Sequence, residues 1–147
     1  MVLISSSHLY PAGSEYDSWR DGFRRTVASL TAAKSAVVIL HTTPMTRIDV
    51  PACVLRVMTH GGDMRACGVA RKVAIDSKFM QAERDAVAGL SPVRLVDFSD
   101  RFCDARTCPP MKDGILVYLD GTHTSAAFTR TLLPAMAAAL DESVNLR

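Results

Sequence analysis

Residues 36–40 read Ala36-Val37-Val38-Ile39-Leu40, a continuous apolar run rich in β-branched side chains. A strand wetted on one face alternates polar and apolar residues, so an uninterrupted run marks a strand covered on both faces. Thr42-Thr43-Pro44 ends it. Working outward, Val2 to Ser5 reads as a second short buried strand and Val93 to Asp97, after Pro92, as a third. Ile115 to Leu119 reads as a fourth. Tyr16 to Lys34 carries helical periodicity, with Trp19, Phe23, Val27 and Leu30 on one face. Arg20, Asp21, Arg24 and Arg25 fall on the other, where a solvated helix surface is expected. Val69 to Val87 is helical in composition, with Val73, Phe79 or Met80, and Ala86-Val87 as buried candidates and Gly89 as its stop. Ser125 to Leu140 reads as a final helix, apolar at Leu133, Met136, Ala137 and Leu140 and bent at Pro134. Met45 to about Ala66 reads as a long irregular stretch. Strands alternating with helices predict the α/β class, a layered fold around a mostly parallel sheet, in a single domain over 1–147.

Composition bounds the rest. The 147 residues allow one domain with a sizeable core. An apolar fraction of 48% and a charged fraction of 22% suit a globular chain rather than a disordered one. The net charge of +2, from 17 basic and 15 acidic residues, is too small for a phosphate-tracking surface, so no nucleic-acid partner is expected. No apolar run approaches the roughly 20 residues needed to cross a bilayer, so no membrane span is expected in this chain. Met1-Val2-Leu3-Ile4 lacks a basic leader and runs at once into Ser5-Ser6-Ser7, unlike a signal peptide.

Four cysteines, Cys53, Cys67, Cys103 and Cys108, lie in segments rich in Pro, Gly, Asp or Arg. Three pairings are arithmetically open. Sequence proximity favours Cys53 with Cys67 and Cys103 with Cys108. In the chain-entropy model the first bridge, closing a loop of about 15 residues, contributes roughly 3 kcal/mol. Free thiols and a zinc site compete with this reading, although neither pair has Cys-x-x-Cys spacing and His60 is the only nearby imidazole. Disulfides imply an oxidising compartment such as the periplasm. Without a signal peptide, that fits if the chain is the rear part of a longer exported protein.

Ligands of parallel sheets meet the carboxyl ends of the strands. Those ends are Ser5-Ser6-Ser7, His41-Thr42-Thr43, Asp97 and the segment Asp120 to His123. In Tyr118-Leu119-Asp120-Gly121-Thr122-His123, Gly121 is expected to permit a sharp turn that lets Asp120 and His123 face one pocket. A carboxylate on one imidazole nitrogen fixes the tautomer and frees the other nitrogen to deprotonate a hydroxyl. The competing reading is a turn in which Asp120, Thr124 or Ser125 merely caps the last helix. His8, His41 and His60 have no partner at a defensible spacing and read as surface or hydrogen-bonded histidines.

The run Asp97-Phe98-Ser99-Asp100-Arg101-Phe102-Cys103, then Cys108, Gly114 and Val117-Tyr118-Leu119-Asp120-Gly121-Thr122-His123-Thr124-Ser125, resembles the end of SGNH (GDSL-like) hydrolase domains. It is most like the variant fused to integral-membrane acyltransferases that modify bacterial envelope glycans. There a Cys…Cys element precedes a Tyr-x-Asp-x-x-His segment and a terminal helix. The Val-Val-Ile-Leu strand and Pro51-Ala52-Cys53 followed by Cys67 also match in order. The resemblance implies a three-layer α/β/α sandwich, the flavodoxin-like SGNH fold, truncated at its N-terminus. It implies Asp120 and His123 as a catalytic pair in a serine esterase or O-acyltransferase domain, without metal or organic cofactor.

The family's Gly-Asp-Ser nucleophile motif is absent; Gly61-Gly62-Asp63-Met64 has no serine after Asp63. Val2 to Ser7 corresponds in order to the family's third block, and Ser5-Ser6-Ser7-His8 there holds no oxyanion-hole asparagine. The expected function is therefore the C-terminal part of a domain acting on acyl esters of cell-envelope glycans, with its nucleophile outside this chain. The expected partners are an acyl ester or glycan and an N-terminal membrane acyltransferase domain. The alternative is a degenerate, non-catalytic glycan-binding or interaction module on the same fold.

Overall fold

The computed structural model describes residues 1–6 and 15–144, with side chains through residue 142. In chain order the elements are β1 (Val2–Ser5), α1 (Glu15–Ala32), β2 (Val37–Leu40) and α2 (Val50–His60). After a 3-10 turn at Met64–Cys67 come β3 (Val69–Ala70), α3 (Arg71–Ala74), α4 (Ser77–Val87), β4 (Val93–Val96) and α5 (Ser99–Phe102). The chain closes with β5 (Thr107–Cys108), β6 (Met111–Lys112), β7 (Ile115–Leu116), α6 (Ala126–Thr131) and α7 (Leu133–Val144). Two compact units result: Met1–Thr42 with Asp76–Asp97 and Met136–Arg147, and Thr43–Ile75 with Phe98–Ala135.

The first unit is built on a parallel sheet of order β1-β2-β4. β2 is central, with Val37 paired to Val2 and Val93 and Ile39 to Ile4 and Leu95. Val37, Val38 and Ile39 are all buried, so both faces of this strand are covered, as its unbroken apolar run requires. Val27 of α1 and Ala86 and Val87 of α4 pack with Val37 and Ile39 on one face. On the other face Arg94, paired to Val38, reaches Glu142 of α7. Helices thus lie on both sides of the sheet, an α/β layering. Trp19 stacks on Phe23 with ring centroids 4.8 Å apart and packs against Phe79 of α4 at 4.5 Å. Arg24 is not part of a purely solvated face: it donates to the carbonyls of Ala86 (2.8 Å) and Ala88 (2.9 Å), satisfying acceptors that the end of α4 leaves open.

The second unit gathers Val50 and Val54 of α2, Phe102, Val117, Tyr118 and Phe128 into one core. Cys53 is joined to Cys67 and Cys103 to Cys108 by disulfides. Here the structure departs from several sequence expectations. The stretch from Met45 to Ala66 is not irregular but contains α2. Asp49 caps it by accepting from Ala52 N at 2.9 Å, and Pro51 sits in its first turn, where a missing N–H costs nothing. The helix expected over Val69 to Val87 is broken, because the Asp76 carboxylate accepts from Lys78 N and Phe79 N and starts α4 afresh. Ile115 to Leu119 is no strand of the parallel sheet; Ile115–Leu116 pairs antiparallel with Met111–Lys112. Asp113 (φ 50°) and Gly114 (φ 76°) make the two-residue turn, both in the left-handed region such hairpins need. The expected bend at Pro134 is a break between α6 and α7, with Pro134 in the first turn of α7.

Candidate functional site

The segment after β7 is tied down by backbone bonds before any side chain acts. Val117 N donates to Pro110 O at 2.9 Å, Leu119 N to His123 O at 2.8 Å and Ser125 N to Val117 O at 2.8 Å. Tyr118 and Thr124 form an antiparallel bridge, so residues 119–123 close a tight loop between them. Tyr118 itself is 1% exposed and its hydroxyl has no hydrogen-bond partner among the described residues. Burial pushes that phenol well above its ordinary range.

Inside the loop the Asp120 carboxylate is the organising group. Its Oδ1 accepts from Thr122 N at 2.6 Å, His123 N at 2.7 Å and the Thr122 hydroxyl at 3.0 Å. Its Oδ2 lies 2.8 Å from His123 Nδ1. The Thr122 backbone N–H first, then the His123 ring and backbone, hold Asp120 well below the usual carboxylate range. An ionised carboxylate only accepts, so in the neutral imidazole the Nδ1 proton faces Asp120 and Nε2 carries the lone pair. The His123 side chain is 73% exposed, and Nε2 has no partner among the described residues. The arrangement can therefore take a proton at Nε2 and stabilise the resulting imidazolium at Nδ1.

The helix-cap duty belongs to another residue. Ser125 accepts from Phe128 N at 3.1 Å and donates to Leu116 O at 2.5 Å, which leaves Asp120 to the turn and the imidazole. Gly121 is needed for a different reason from the one its sequence context suggests. Its φ lies outside the left-handed region, but a Cβ there would stand 3.2 Å from Arg47 Cα and 3.2 Å from Ile48 O. Arg47 N donates to Gly121 O at 2.9 Å, so the segment entering α2 lies directly on the loop. The glycine is a spacer between two backbones.

Of the other polar residues at the strand ends, Ser6 and His41 share one buried carboxylate. Ser6 Oγ donates to Glu83 Oε1 at 2.9 Å, and the same carboxylate meets His41 Nδ1 through Oε2. Glu83 is fully buried and His41 nearly so. This Ser6–Glu83–His41 cluster was invisible in the sequence, since 77 and 42 positions separate its members and no local spacing signals it. Ser5 and His60 are exposed, while Ser7 and His8 lie outside the described residues.

Against known proteins, the family described as "SGNH domain (fused to AT3 domains)" matches residues 1–138. Among solved structures, the chain is similar to the periplasmic domain of a Salmonella ser. Paratyphi A lipopolysaccharide acetyltransferase, with a TM-score of 0.63 at 10% identity. That alignment covers 95% of this chain and 56% of the other, so the chain spans little more than half of its neighbour's length. No curated protein matches. At 10% identity the likeness speaks to the fold, an α/β architecture about a parallel sheet. With 138 residues of the family pattern present, the chain belongs to the SGNH domain family fused to AT3 domains.

Proposed function

We propose that this chain supplies the acid–base half of an SGNH-type serine esterase or O-acyltransferase that acts on acyl esters of cell-envelope glycans. The reading is carried by one observation: Asp120 holds His123 by Nδ1 while Nε2, on a side chain 73% exposed, has no partner among the described residues. On this reading a serine hydroxyl attacks the acyl carbonyl as Nε2 takes its proton. The tetrahedral intermediate collapses, the C–O bond to the leaving alcohol breaks, and the imidazolium returns the proton to that alcohol. Water or a sugar hydroxyl then gives its proton to Nε2 and attacks the acyl-enzyme. The serine leaves with that proton. Asp120 stays ionised throughout and balances the transient imidazolium.

The serine comes from outside residues 1–147. The absence of a Gly-Asp-Ser run supports this, as does the engagement of Ser6 by the buried Glu83. The AT3 domain to which the family is fused is the membrane partner, and the periplasm is the compartment. The disulfides fit that oxidising setting.

Ester turnover by residues 1–147 is compared with that of the same chain carrying its native upstream coding sequence, each as wild type, His123→Ala and Asp120→Asn. In the extended protein, His123→Ala is expected to lower turnover by at least about a hundredfold. Unchanged turnover in that variant overturns the catalytic pair and favours the non-catalytic module. His123-dependent turnover by residues 1–147 alone, or a stop codon directly upstream, overturns the external serine.

A further inference from the structure

The loop that carries Asp120 and His123 is pressed against residues 47–48, and those residues are unusual in two respects. Arg47 has φ 59°, a left-handed conformation that a long side chain rarely adopts and that glycine would occupy without strain. The strained position is held on both sides. Arg47 N donates to Gly121 O at 2.9 Å, and the buried Thr46 hydroxyl donates to Ile48 O at 3.2 Å. Backbone strain persists where its surroundings over-determine it, and it gathers at functional sites.

Arg47 is exposed, and its guanidinium makes no ion pair or hydrogen bond among the described residues. The carboxylates of these two segments are already committed. Asp49 accepts from Ala52 N to cap α2, and Asp120 serves the loop and His123. The same two segments, joined by the backbone bond from Arg47 N to Gly121 O, also expose large apolar side chains, Ile48 at 41% and Leu119 at 63%. A cation next to apolar surface suits a sugar ring that bears an oxyanion. The C–H face covers the apolar residues, and the planar guanidinium takes two oxygens of a carboxylate or phosphate.

We infer that Arg47, Ile48 and Leu119 form a subsite for a negatively charged sugar unit, adjoining His123. This deepens the esterase or acyltransferase reading and rests on it, because the subsite matters to catalysis only if His123 does.

The test is a two-dimensional amide NMR titration of the full chain with trigalacturonate, with glucose 6-phosphate and with neutral maltotriose. Saturable shifts at Arg47, Ile48, Leu119 and His123 are expected with an anionic probe. The trigalacturonate and phosphate arms separate a sugar carboxylate from a sugar phosphate, and preference for either supports the subsite. Arg47→Gln and Arg47→Gly are each expected to weaken that binding about tenfold or more, the scale of one charge-assisted hydrogen bond. Arg47→Gly also relieves the left-handed strain, so it keeps the fold and serves as the variant whose loss of binding is not unfolding. Shifts confined elsewhere, equal affinity for maltotriose, equal affinity in both Arg47 variants, or no saturable shift with either anion overturns the subsite. His123→Ala retains binding on this inference. If ester turnover proves independent of His123 while Arg47-dependent binding stands, the catalytic reading fails and the subsite survives.

Discussion

Replacing Gly121 by alanine adds one methyl group at the point where two backbones meet. The new Cβ would lie 3.2 Å from Arg47 Cα, 3.2 Å from Ile48 O and 3.3 Å from the Arg47 carbonyl carbon. None of these atoms ends a flexible side chain. The segment cannot step back easily, because Arg47 N is bonded to Gly121 O and fully buried Val50 follows three residues later. Overpacking of this kind costs typically about 1–3 kcal/mol. Alanine returns about 0.4–1 kcal/mol by restricting the unfolded chain, since the φ at this position suits it. The net expectation is a loss of about 1–2 kcal/mol, which lowers Tm by about 3–6 °C in a chain of this size. Gly22 is the internal comparison. It lies in α1, where a Cβ meets only the mobile Arg25 Nη2, at 3.7 Å, so Gly22→Ala should stabilise by roughly 0.5–1 kcal/mol. Urea unfolding followed by far-UV circular dichroism reads both. A Gly121→Ala chain as stable as wild type would refute the spacer argument, whatever Gly22→Ala does.

Two more outcomes follow from groups already described. Glu83→Ala strips the buried partner from both Ser6 and His41, and breaking such a pair costs about 3–5 kcal/mol. Trp19 fluorescence during urea unfolding reports it, because the indole packs on Phe79 of the same helix; a loss under about 1 kcal/mol would show that the cluster holds little. Asp120 has a depressed pKa in the folded chain, so its contribution is present above the ordinary aspartate range and is lost as pH falls toward its folded value. The stability gap between wild type and Asp120→Asn is therefore expected to hold at neutral pH and shrink below about pH 4. A gap that stays constant across acid titration contradicts the hydrogen-bonded carboxylate.

The parts of the fold that could be read from sequence are those where burial alone decides. Val37 to Leu40 is central because nothing else tolerates that many adjacent apolar β-branched residues, and α1 shows its period plainly. What went unread was punctuation. Asp49 with Pro51 and Gly61 brackets α2, Asp76 starts α4, and Asp113-Gly114 marks a hairpin, each a local signal outweighed by the apolar pattern around it. The Asp120 and His123 contact was legible because three residues and a turn suffice to make it. The Glu83 cluster and the approach of Arg47 to Gly121 were not, because they depend on where distant segments fold.

The pairing of the cysteines has a consequence for how the chain is made. Both bridges join consecutive cysteines, first with second and third with fourth. A chain emerging from its N-terminus can close Cys53–Cys67 before Cys103 has appeared, so oxidation in order of emergence already yields the final connectivity and needs no later reshuffling. The same arrangement leaves residues 43–75 and 98–135 of one unit each stapled within itself, with no covalent tie between them except the backbone through residues 76–97. A single proteolytic cut in that connecting stretch would separate the two halves under denaturing conditions even with every disulfide intact.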